Sequence, residues 1–157
     1  MNHELSAIPI TIAVIFHSGF GHTARQAEAV RRGIERIAGA SALYITSEEA
    51  QGRLDDLELA DAIIFGAPTY MGSVSGSFKT FMDSTSKRYA TGAWKDKIAA
   101  GFTNSASRSG DKLATLTQFA IFAAQHGMHW VMYGRRPRCK RNLTISEAFG
   151  CGHVFGL

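Results

Sequence analysis

This sequence points to a single α/β domain with a parallel sheet covered on both faces, on three grounds. Apolar, β-branched runs alternate with amphipathic stretches, the runs are apolar on both faces, and polar loops follow several of them. With 157 residues, 45% hydrophobic and 19% charged, the chain can bury one substantial core and is short for two domains. That composition excludes a disordered chain, and no apolar run reaches the roughly 18 residues of a membrane span. Residues 1–4 carry no basic stretch ahead of an apolar one, so the expectation is a cytoplasmic protein without a secretion signal or membrane partner.

Ile8 to Phe16 (IPITIAVIF) predicts a first, central strand buried on both sides. Ala27, Val30, Ile34 and Ile37 then recur at steps of three and four among Arg and Glu, which predicts an amphipathic helix ended by Gly39. Ala42 to Thr46 predicts a second strand, residues 48–60 a short helix or irregular crossover, and Ala62 to Ala67 a third buried strand stopped by Pro68. Ser77 to Arg88, with Phe78, Phe81 and Met82 at helical spacing, predicts a helix capped by Ser77. Lys97 to Thr103 predicts the fourth strand. Lys112 to His126 predicts a helix burying Leu113, Leu116, Phe119, Ala120 and Ala123, and His129 to Tyr133 the fifth strand. Right-handed crossovers then give a five-stranded parallel sheet.

In such a sheet ligands bind at the carboxyl ends of the strands. The loop after the first strand, His17-Ser18-Gly19-Phe20-Gly21-His22-Thr23, places two glycines, two hydroxyls and a helix N-terminus together, which suits a phosphate. A tight turn capped by Thr23 is the bland alternative. No G-x-x-x-x-G-K-[ST] occurs, which argues against a P-loop nucleotidase. Gly19 to Ala24 also satisfies the loose dinucleotide pattern G-x-G-x-x-[GA], but Thr46-Ser47 stands where a ribose-binding acid belongs, with Glu48 just beyond. The second loop, GAPTYMGSVSGS from Gly66, offers backbone amides beside Tyr70 and Met71, suited to the edge and face of a flat heterocycle. The third, Thr103-Asn104-Ser105-Ala106-Ser107-Arg108-Ser109-Gly110-Asp111, supplies hydroxyls and an amide. A mononucleotide with a planar ring is the simplest ligand for all three loops. His17 and His22 lack the i, i+4 spacing of a zinc pair, Cys139 and Cys151 match no ligand spacing, and no metal is expected.

HSGFGHT, GAPTYMGSVSGSFKTFMD, KIAAGFTNSASRSGDKLATL and Gln125-His126-Gly127-Met128 resemble the flavodoxin-like flavoproteins, in particular the WrbA-type NAD(P)H:quinone oxidoreductases and related FMN reductases. The resemblance covers residues 8–133. It implies a three-layer sandwich with strand order 2-1-3-4-5 and a closing helix. It also implies FMN, with its phosphate on Ser18, Gly19, Phe20, Gly21, His22 and Thr23. The isoalloxazine ring would then lie against Pro68, Thr69, Tyr70, Met71, Gly72, Thr103, Asn104, Ser105 and Ser107. His126 is implied as the catalytic candidate near the ring or the quinone, with a structural or capping role as its alternative; Tyr70 and Trp94 are candidate walls on the substrate side, with ordinary packing as the alternative for Trp94. NADH or NADPH is the implied donor, a quinone the acceptor, and a dimer or tetramer the assembly. A flavodoxin acting as a one-electron carrier is the rival reading, and a binding module that has lost flavin a third. Carriers usually show an acidic face, whereas residues 1–133 carry 12 basic and 12 acidic residues.

The formal net charge of +4 sits in the tail, where Arg135, Arg136, Arg138, Lys140 and Arg141 cluster and only Glu147 is acidic. Residues 1–133 are therefore read as the flavin domain and 134–157 as an atypical basic tail. The tail shows no recognisable closing helix. A frame change in the coding sequence or a lineage-specific extension are the two expectations for it. One basic cluster without interleaved aromatics argues against a nucleic-acid partner.

Overall fold

A computed structural model describes residues 9–108 and 110–132, together with the strand at 153–155. The elements in chain order are β1 (Ile10–Phe16), α1 (His22–Glu35), β2 (Ala40–Thr46), α2 (Ser47–Gln51), α3 (Leu54–Glu58), β3 (Ala62–Tyr70) and β4 (Ser73–Val74). These are followed by α4 (Gly76–Ser84), α5 (Ser86–Thr91), β5 (Ile98–Asn104), α6 (Lys112–Gln125), β6 (His129–Trp130) and β7 (His153–Phe155). The sheet order is β2-β1-β3-β5-β6, with parallel pairing along that path. Counting only the five main strands, this is the expected 2-1-3-4-5.

Alternation along β1 builds a core on each face. Ala13 and Ile15 point into a cluster with Ile63, Phe65, Phe78 and Phe119, while Val14 and Phe16 join Ala27, Ile34 and Phe102 beneath α1. All are at most 6% exposed, which is the burial on both faces that a central parallel strand needs.

Several local expectations are corrected. Pro68 does not stop the third strand, which runs on to Tyr70. Gly66 O accepts from His17 N on the β1 side, and Pro68, two residues on, turns its missing N–H to that same side, where β1 has already ended. Proline is tolerated at such an edge. Beyond it, Met71 (φ 49°) and Gly72 (φ 74°) make a two-residue hairpin turn into β4, both with the positive φ of a type I′ turn.

The helix expected over 77–88 is two helices, α4 and α5, broken at Thr85, whose hydroxyl donates to Met82 O at 2.7 Å. Its N-cap is Ser75 rather than Ser77, without a side-chain cap. The acidic 48–60 stretch forms α2 and α3, α2 being held by a Thr46–Glu49 capping box. Leu113 is 66% exposed, and Thr115 and Phe122 take inward positions on α6 instead. Ile37 lies beyond the end of α1 and is likewise exposed. The fifth strand is short, with Val131 N adding one bond to Ala99 O, and Tyr133 lies outside the described residues. β7, which the sequence reading did not anticipate, pairs antiparallel with Phe102–Asn104. The basic cluster, both cysteines and the expected closing helix fall outside the described residues. Among the described residues, no helix is long and apolar enough to cross a membrane.

Candidate functional site

The carboxyl ends of β1, β3 and β5 enclose a cleft of about 370 Å³ lined by Phe20, His22, Thr23, Pro68, Thr69, Tyr70, Asn104, Ser105 and Ala106. All three loops singled out in the sequence contribute to it. At one end lies the start of α1. Its N-cap, Gly21, sits in the left-handed region (φ 83°), which a residue without Cβ enters freely, and it brings no side chain to cap the helix. Ser18 Oγ accepts from Ala24 N at 3.1 Å. No hydrogen bond from the described residues satisfies the N–H groups of His22 and Thr23. The helix therefore presents two free donors at its positive end, with no acidic residue in the first turn to oppose an anion.

Side chains from distant loops fix that end. Asn104, 8% exposed, donates from Nδ2 to Thr23 Oγ1 at 2.8 Å and to Gln26 Oε1 at 2.7 Å. Since Thr23 Oγ1 accepts there, its own proton is left to donate elsewhere. Gln26 was not anticipated, although it stands three residues after Thr23 on one helix face, a spacing that pairs such residues.

Along the wall, Thr103 Oγ1 donates to Ala67 O at 2.7 Å and bonds Thr69 Oγ1 at 2.9 Å, and Thr69 Oγ1 bonds Thr115 Oγ1 at 2.8 Å. With the Thr103 proton committed to Ala67, the chain runs Thr115 to Thr69 to Thr103 to Ala67. The hydroxyls of Thr69 and Thr103 are consumed within the wall, and Thr103 is fully buried. Tyr70 forms edge contacts with Phe20 and His17 at 6.3 and 6.5 Å between ring centres. A Cβ on Gly19 would lie 2.6 Å from the Tyr70 hydroxyl, so glycine there is what lets the ring fold over the loop. Phe20 is 83% and Met71 102% exposed, giving the mouth an apolar rim.

Ser18, Gly19 and Gly21 shape the first loop without lining the cleft. Met71 and Gly72 form the turn beyond it, and Ser107 faces away, its Oγ accepting from Gly110 N. His126 is not brought to this cleft. It is 4% exposed, with Nε2 3.0 Å from Thr85 Oγ1 and its ring 4.5 Å from that of Trp94. Burial holds its pKa below the ordinary 6.5. It borders instead a second cleft of about 240 Å³ with Thr85, Tyr89 and Gln125. Trp94, fully buried and stacked on Phe81, is a packing residue and not a substrate wall. Among the described residues no cluster of three metal-ligating side chains exists.

A parallel sheet in this order, with a phosphate-type loop after β1 and aromatic and amide loops after β3 and β5, defines a flavodoxin-like protein. Residues 4–134 match the family described as NADPH-dependent FMN reductase, and the chain belongs to that family. It is 46% identical over 126 residues to flavodoxin FldP of Pseudomonas aeruginosa, a match covering 79% of this chain and 66% of that protein. It is 31% identical to an NAD(P)H dehydrogenase (quinone) of Syntrophobacter fumaroxidans, over 92% of this chain and 80% of the relative. The crystal structure of a flavodoxin, WrbA-like protein from Agrobacterium tumefaciens superposes with a TM-score of 0.69 at 48% identity, covering 78% of this chain and 76% of that one.

Proposed function

We propose that the protein is an FMN-dependent oxidoreductase that takes electrons from NADH or NADPH and delivers them to a quinone or similar small acceptor. The observation that carries this reading is the uncapped start of α1. Two unsatisfied N–H groups and the Thr23 hydroxyl converge on one end of a cleft whose other walls are aromatic and amide-bearing. FMN fits both ends, its phosphate on the Ser18–Thr23 loop and its ring between Tyr70 and the Asn104–Ala106 wall. When bound, FMN supplies hydride acceptance and onward electron transfer.

The residues of the chain bind and orient. His22 and Thr23 hold the phosphate, Tyr70 and Phe20 exclude water from one side, and the backbone of 68–70 and 104–106 meets the polar edge of the ring. No titratable side chain of the cleft is needed as an obligatory acid or base. The exposed Leu113 and Ile121 on α6 and the apolar mouth support a dimer or tetramer, which sedimentation velocity reads directly.

Similarity to a protein named flavodoxin favours a second reading, a carrier without substrate turnover. Steady-state oxidation of NADH and NADPH with a benzoquinone separates the two. The flavin-loaded protein should turn over with at least one nicotinamide, and flavin binding without turnover would leave only the carrier.

A further inference from the structure

Lys112 opens α6 only 3% exposed, and no role in the proposed reaction uses it. Its Nζ lies 2.8 Å from each of three oxygens, Ser105 Oγ, Ser107 O and Arg108 O. The Ser105 hydroxyl already donates its proton to Ser107 O at 2.8 Å, so toward Lys112 it accepts, as the two carbonyls must. Three acceptors require three N–H donors, and a lysine has three only as the ammonium ion. Every one of these partners is neutral, and Lys112 enters no ion pair among the described residues. A buried cation whose direct partners are all neutral is costly to the folded chain. Ser105 is itself a wall of the cleft, so this charge stands one hydroxyl behind the ligand surface.

We propose that Lys112 is a positioning residue that selects the charge state of the flavin: held against the back of Ser105, its ammonium favours the anionic, two-electron-reduced ring over the neutral oxidised one. The inference rests on the cleft being the flavin site. A hydride from NAD(P)H carries two electrons and one proton, so the neutral ring gains one negative charge while the nicotinamide leaves as NAD(P)+. A fixed cation a few ångströms behind the wall lowers the energy of the charged form and leaves that of the neutral form almost unchanged.

The test is the ratio of dissociation constants for oxidised and dithionite-reduced flavin, measured anaerobically with FMN and with riboflavin. Wild type should bind reduced FMN at least as tightly as oxidised FMN. Lys112→Met and Lys112→Gln should shift the ratio at least about tenfold toward the oxidised form, equally for FMN and riboflavin, while Lys112→Arg keeps it within about threefold. Variants that weaken both states equally would reduce Lys112 to a clasp for the loop and overturn the proposal. So would a loss of affinity in both states with FMN and in neither with riboflavin, which would put the charge on the phosphate. A wild type that binds oxidised FMN more tightly than reduced overturns it without any variant. Absence of flavin binding in either state would instead overturn the reading of the cleft.

Discussion

Asn104 decides which way the Thr23 hydroxyl points. Because the amide donates to Thr23 Oγ1 and to Gln26 Oε1, the threonine proton is free for an anion at the start of α1. Asn104→Asp reverses the bond, since a carboxylate can only accept, and adds a negative charge beside the proposed phosphate site. We expect FMN affinity to fall about tenfold or more, equivalent to about 1.4 kcal/mol. Riboflavin, which lacks the phosphate, should lose less affinity than FMN, and fluorescence titration with both flavins checks this. His126 makes a different prediction. Burial depresses its pKa, so the unfolded chain takes up a proton before the folded one does. Its neutral form is fully compatible with the fold above pH 6.5, and stability should decline as pH falls below that value. Urea midpoints between pH 5 and 7.5 should show the decline in wild type and a shallower one in His126→Gln. Neither side chain's direction was legible in the sequence. Asn104 lines the cleft, yet its partners on α1 lie 81 and 78 residues away in sequence, and the resemblance that makes His126 catalytic says nothing of the Trp94 ring packed beside it.

Two glycines show how differently one substitution acts at two places in the fold. Gly66 on β3 faces the Phe102 ring, and a Cβ there would come within 2.2 Å of it. Gly66→Ala should cost about 1–3 kcal/mol by overpacking the sheet beneath α1. Gly33, inside α1, has nothing within 4 Å of its would-be Cβ, and Gly33→Ala should stabilise by up to about 1 kcal/mol through helix propensity. Chemical denaturation of both variants measures the opposite signs. The main strands were legible because each is a continuous apolar run, and α1 because its apolar spacing is strict. Tertiary context settled the rest. Pro68 stays in β3 only because β1 stops short of it, and Thr85 breaks the expected helix by turning its hydroxyl onto Met82 O. Leu113 keeps the helical period yet faces solvent, since Lys112 and Thr115 occupy the buried side of the first turn of α6.

At the scale of the whole molecule, the strand order brings three loops from separate parts of the chain to one edge, and the site exists only through that convergence. The loops were visible in the sequence as glycines, hydroxyls and a tyrosine after apolar runs. The division of labour inside the cleft was not, because it depends on which hydroxyls the wall consumes. Lys112 was invisible as a site residue for a similar reason: a lysine in a polar stretch reads as solvated until the loop is seen folded over it. If this edge holds FMN by its phosphate at the start of α1, the phosphate must add to affinity, and titration of the flavin-free protein with FMN and riboflavin, followed by flavin fluorescence, measures that contribution. FMN should bind at least about tenfold more tightly than riboflavin, as a charge-assisted phosphate site requires. Equal affinity for the two flavins, or no binding of either, would contradict it.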